Sequence, residues 1–174
     1  RRSSDLCALA KERSLPVGVH WTLHAEWPEE RWFPCADAAR VSSLCKEGAL
    51  LSDAARMSKQ ATSADVSREL AAQIAFLADR DARPDHADSH GGTLYGINGR
   101  LFFLNAFRLC SRYKLPFRFP RRAAFLRRQF GREPNAALRA AHRAIVAAAG
   151  AYGVRLIDDF ITNPYPVANI GGLS

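Results

Sequence analysis

The chain has 174 residues, 48% apolar and 24% charged, the balance of a folded globular chain with a core of its own rather than a disordered one. Its opening "RRSSDLCALAKERS" lacks the apolar middle of a secretory signal, and no apolar run approaches the roughly 20 residues needed to span a bilayer. Net charge is +8, and the excess is confined: residues 100–132 hold ten basic residues and no acidic one, whereas 1–99 hold 12 basic and 14 acidic.

Taken in chain order, Asp5 to Arg13 reads as a short helix with Leu6, Ala8 and Leu9 or Ala10 facing inward. "LPVGVHWTL" (15–23) has the β-branched and aromatic content of a strand, entered through Pro16. Residues 25–62, with two prolines and two tryptophans near their start, carry little periodicity and read as a long surface loop. A helix follows over 65–79, capped by Thr62 or Ser63, with Val66, Leu70, Ile74 and Leu77 as one apolar stripe. Pro84 precedes a short strand over 84–90 that opens into Gly91-Gly92. Residues 100–113 form an apolar-rich helix, 115–119 a strand ended by Pro120, 135–149 an alanine-rich helix closed by Gly150 or Gly153, and 154–161 a final strand. This alternation of strand and helix predicts a parallel sheet or barrel with helices outside it, whose chemistry gathers at the carboxyl ends of the strands. His20, His90, Arg118 and Asp159 each lie in or just past a predicted strand.

The stretch "PDHADSHGG" (84–92) places His86 and His90 four residues apart with Asp88 between them. On a helix or on a strand, that spacing turns both rings to one side. Neutral imidazole is a ligand for divalent metals, and the carboxylate can join it or fix a ring's tautomer. The plainer reading of the pair alone is a polar loop with structural histidines, and of His20 a satisfied core residue. Cys7, Cys35, Cys45 and Cys110 show no C-x-x-C spacing, which predicts reduced structural thiols in a cytoplasmic protein and gives no support for cysteine-bound zinc.

Together, "GVHWTL" (18–23), Glu69 and Gln73 in "SRELAAQIAFL", the H-x-D-S-H element at 86–90, "LPFRFPR" and "GVRLIDDF" resemble the YdjC-like family of carbohydrate deacetylases, also called the ChbG family. The resemblance covers nearly the whole chain. It implies a parallel-stranded, barrel-like α/β fold, a deformed TIM-type or NodB-like barrel, and hydrolysis of the N-acetyl group of a mono- or oligosaccharide, phosphorylated or not. It further implies a divalent ion, magnesium or zinc, held by one aspartate and two histidines. By position, His20 and His90 would be the metal-binding histidines, with His86, Asp88, Arg118 and Asp159 as catalytic candidates in the same pocket. Two departures accompany it. The family opens with a strand ending in an Asp-Asp motif that this chain lacks, so residues 1–174 read as a single domain missing its first strand and helix. The family also carries histidines where this chain has Gly92 and Leu94.

The expected chemistry is metal-assisted amide hydrolysis, with Arg118 or backbone N–H groups facing the developing oxyanion. The expected partner is an N-acetylated saccharide, with no membrane, and homo-oligomerisation stays open. Two alternatives remain. One is a family member that binds sugar without cleaving it. The other is an anion- or nucleic-acid-binding protein in which Phe117, Phe119, Phe125 and Phe130 interleave with the arginines of the basic segment.

Overall fold

A computed structural model of the chain describes residues 2–131 and 133–160. Four parallel strands form its main sheet in the order β1 (Gly18–Trp21), β4 (His86–Ser89), β5 (Phe117–Pro120) and β6 (Leu156–Ile157). Apart from a small hairpin, spatial order follows chain order, as in one arc of a barrel-like α/β fold with helical crossovers. Every strand is shorter than its predicted run, and Ile161, the last residue expected in β6, lies outside the described residues.

Three helices lie close to where periodicity placed them. In α3 (Ser63–Ala78) Thr62 caps the first turn, its side chain accepting from the Asp65 N–H at 3.1 Å. Val66, Glu69, Leu70, Gln73 and Ile74 form its buried face, the three- and four-residue spacing of one helix side. Packed beside it, α4 (Phe103–Tyr113) buries Ala106, Phe107, Leu109 and Cys110 and ends at Lys114 in the left-handed conformation. Asn135 caps α6 (Ala136–Ala151), which runs through Gly150 and turns only at Gly153 (φ +66°). Between sheet and helices, Trp21 donates its ring N–H to the Leu70 carbonyl at 3.0 Å, while Phe117 packs between Trp21, Tyr95 and Phe107.

Three expectations need correction. In α1 (Arg2–Glu12) only Cys7 of the described side chains is buried; Leu6 is 66% exposed and Leu9 39%, so the expected inward stripe does not form. Residues 25–62 are not one loop. They contain a 3-10 segment (Ala38–Leu44), a hairpin of β2 (Cys45–Lys46) with β3 (Ala49–Leu50), and α2 (Ala54–Gln60) capped by Asp53. The hairpin turns on Glu47-Gly48, both at positive φ, the type I′ geometry that suits two-residue connections. A further short helix, α5 (Ala124–Phe130), follows β5.

Candidate active site

Strand register builds the site. His20 pairs with Asp88 across β1 and β4, and Ala87 with Phe117 across β4 and β5, so the next residues along, Asp88 and Arg118, are also neighbours. Side chains alternate along a strand. Val19, Trp21, Ala87, Ser89, Phe117 and Phe119 therefore face the helices and are buried, while His20, Asp88 and Arg118 share the other face. They are hydrogen-bonded in a row. The Asp88 carboxylate meets His20 Nδ1 at 2.6 Å through Oδ1 and the Arg118 guanidinium at 2.5 Å through Oδ2. Burial alone would raise the pKa of Asp88. The hydrogen bond and charge of His20, with the Arg118 charge, outweigh burial and hold it below the ordinary carboxylate value.

That pairing orients His20. With Nδ1–H held by Asp88, His20 Nε2 keeps its lone pair and faces His90 Nδ1 at 3.3 Å. Two nitrogens bound to one ion at 2.0–2.1 Å in tetrahedral geometry stand about 3.3 Å apart. The separation matches two positions of such a site, and equally an N–H···N hydrogen bond between the two rings. Burial, then the nearby His24 and His20, push the His90 pKa below the usual histidine value, which favours the neutral, ligating form. Among the described residues no cluster of three His, Cys, Asp or Glu side chains converges on a point, so the aspartate that the family resemblance implies has no counterpart here.

The backbone serves this arrangement. Gln73 accepts from the Thr22 N–H at 3.0 Å and donates to the Thr22 carbonyl at 2.6 Å, fixing the chain two residues past His20. Glu69 accepts from Gln73 at 2.8 Å and from the Cys35 and Ala36 N–H groups, both at 2.9 Å. The two residues tie β1 to the 35–36 loop from a buried helix face. Beyond β4 the chain turns through Gly91 (φ +54°) and Gly92 (φ +66°), and a Cβ at Gly92 would lie 2.2 Å from Ile97 Cδ1. A side chain there would displace the exposed Ile97 and would be strained by the positive φ.

The other candidates are placed apart. His86 shares the Asp88 side of β4, is half-exposed, and pairs with Asp85 at 2.5 Å. Its ring fills the space over Gly18, where a Cβ would lie 2.2 Å from His86 Nε2. Asp159 is bound by Arg128, beyond β6. Two neighbours of His90 escaped sequence reasoning. His24, 8% exposed, has its ring centre 5.0 Å from that of His90. Its Nδ1–H donates to the Ala25 carbonyl, leaving a buried Nε2 with no partner among the described residues. The Trp32 ring lies 5.5 Å from His90. Neither sits at a spacing that marks chemistry. All four cysteines are free thiols, and burial raises Cys110 to about 12. Phe117 and Phe119 are core residues, closed to base stacking, and the Phe130 side chain lies outside the described residues.

Two cavities flank the row. One of about 660 Å³ runs beside β1, an edge strand among the described residues, and reaches His20, Trp32, Glu69 and Gln73. The other, about 460 Å³, lies under the 91–101 segment beside Arg118. No helix of the described residues is long and apolar enough to cross a membrane.

A solved structure from Enterococcus faecalis V583, assigned by name only to cellobiose-phosphate cleavage, is similar to this chain with a TM-score of 0.69 and 22% identity. The match covers 95% of this chain and 55% of that one, so the chain spans about half that protein's length. At that identity the likeness is one of fold. No curated protein matches the chain. The family described as YdjC-like protein matches residues 2–167, nearly the whole chain, and the chain belongs to that family.

Proposed function

We propose that this chain forms part of a carbohydrate-processing hydrolase that removes the N-acetyl group of an N-acetylated saccharide with the aid of a divalent ion. The observation that carries the reading is the facing pair His20 Nε2 and His90 Nδ1, 3.3 Å apart, with Asp88 fixing the tautomer of the first. A bound divalent ion would supply Lewis acidity toward the acetyl carbonyl and lower the pKa of a water molecule. His20 and His90 would hold that ion. Asp88 keeps the proton on His20 Nδ1, so that Nε2 stays a donor of its lone pair. Arg118, held by Asp88 on the same sheet face, would face the negative charge developing on the acetyl oxygen, an interaction worth ~3 kcal/mol for a well-placed donor. His86, half-exposed on the same side of β4, would be a candidate to protonate the leaving amine. Binding of the saccharide without cleavage is the second reading, favoured by the lack of a third converging donor among the described residues. Acetate release from N-acetylated oligosaccharides by the intact protein, with and without added metal, separates the two. His20→Ala and His90→Ala should each abolish both release and metal content by elemental analysis. Unchanged metal content in either variant overturns the assignment.

A further inference from the structure

We infer that the second cavity is an apolar subsite of the same active site, and that the saccharide it serves carries an apolar substituent. The inference rests on the hydrolase reading above and adds the substrate class. The cavity, about 460 Å³, falls within the range of small-molecule sites. Its walls include Phe119, Phe125, Leu126, Leu138, Ile145 and Phe160. Gly92, Gly96 and Gly99 also line it, with Ile97 packed over the first and Leu101 over the second. Ile97, 66% exposed, and Leu101, 49% exposed, add apolar surface to the same lining.

The polar groups of the lining settle what can enter. Tyr95 donates its hydroxyl to the Arg118 carbonyl at 2.5 Å, and His142 bonds the Pro120 carbonyl through Nε2 at 2.8 Å. Ser89 Oγ accepts from the Leu94 N–H and donates to the His90 carbonyl. The Arg118 guanidinium is held by Asp88. Each polar side chain here already has an internal partner and the rest of the lining is largely apolar, so a sugar ring would replace little of its hydration, whereas an alkyl or aryl group has none to lose. Arg118 joins the cavity to the row of His20 and Asp88. The Arg118 guanidinium also lies 5.9 Å from the ring of Phe160 in that lining, so a substrate with its N-acetyl group at the histidines would bring a neighbouring apolar group into the cavity past Arg118 and Phe160. That group is an apolar aglycone or a longer N-acyl chain, and the experiment separates the sources.

The test compares, in the intact protein, octyl and methyl glycosides of N-acetylglucosamine, and in a second arm N-octanoyl and N-acetyl forms of the methyl glycoside. A KM at least about 10-fold lower for one octyl-bearing substrate than for its short counterpart is expected, since pockets of this kind discriminate by 10-fold or more per added group. The arm that shows it identifies the source. Ala141→Trp and Leu138→Trp should shrink that ratio to about twofold or less while KM for the short substrate stays put. Ala141 is exposed on α6 at the cavity lining, so folding is not at stake there, and a thermal melt checks the second variant. Binding of octyl glucoside below its micelle threshold, followed by NMR shifts of Phe119 and Ile145, needs no hydrolysis. Octyl binding without acetate release would sink the hydrolase reading and leave the subsite standing. No octyl binding, or equal KM values in both arms, overturns the subsite.

Discussion

Asp88→Asn is the sharpest probe of the candidate site, because it keeps the side chain's size and removes only its charge. In the native protein that charge receives His20 Nδ1–H at 2.6 Å and the Arg118 guanidinium at 2.5 Å. Hydrogen bonds to a charged group are worth ~1.5–3 kcal/mol when screened from water. Here His20 and Arg118 are 55% and 51% exposed, so solvent reduces each link toward the ~0.2–1 kcal/mol of a surface pair. The fold should lose about 1 kcal/mol, or ~2–4 °C in Tm for a chain of this size. The ion site should lose more. The neutral amide accepts from Nδ1–H more weakly and its NH2 group favours the opposite tautomer, and loss of such an outer partner costs ~10–100-fold in metal affinity. Isothermal titration of zinc into the intact protein, beside a thermal melt of the same samples, measures both. Affinity within about twofold of wild type would refute the claim that Asp88 orients His20 for an ion.

Gly18→Ala should lower stability by ~1–2 kcal/mol, because its Cβ would meet His86 Nε2 at 2.2 Å, and the loss should nearly vanish in a His86→Ala background; urea unfolding of the four proteins decides it. Gln73→Ala removes both bonds to Thr22 and one to Glu69, and should cost ~2–4 kcal/mol in the same assay, with weaker ion binding because the end of β1 is released. Acid should destabilise the protein through Asp88 and Asp65. For both, burial favours the neutral acid but is outweighed, by His20 and Arg118 at Asp88 and by Ser43, Thr62 and Arg68 at Asp65. Folded pKa values below the unfolded value, about 3.9, mean that this stability is present above that value and is lost as pH falls through the folded one. An Asp65→Asn variant should therefore show a flatter acid limb in a pH series of melts.

Much of this arrangement was legible because its signals are local. The strand at 15–23 and the helix at 65–79 announced themselves by β-branched content and an apolar stripe, and the two-residue spacing put His86 and Asp88 on one face of β4, while His90 lies just past that strand. Pairing across strands was not legible. That His20 meets Asp88 rather than His86 depends on a register in which a slip of one residue would send every side chain to the other face. The hairpin at Glu47-Gly48 was missed because glutamate replaces the asparagine or aspartate that usually marks such a turn. Helix α2 is seven residues long, too short for a periodic stripe to stand out. His24 lay hidden for a different reason: its proximity to His90 comes from the turn at Gly91, where a Cβ would stand 3.2 Å from His24 Nε2.

The basic segment takes on another meaning once its neighbours are known. Read alone, residues 100–132 invite an anion. In the fold, Arg118 pairs with Asp88 from β4, while Arg121 and Arg128 pair with Asp158 and Asp159, which follow β6, and Arg127 lies 3.6 Å from Glu133. All four acids lie outside the segment, because β5 sits between the two strands that supply three of them. Four of the ten basic residues of the segment are thus paired with acids from elsewhere in the chain, and the chain as a whole keeps its net charge of +8. An anionic group on a substrate would have to displace Asp88 from Arg118, undoing the contact that orients His20, so affinity gained from the anion would cost order at the histidines. An apolar group entering beside Arg118 makes no such demand. The same arginine holds the carboxylate on one side and borders the apolar cavity on the other.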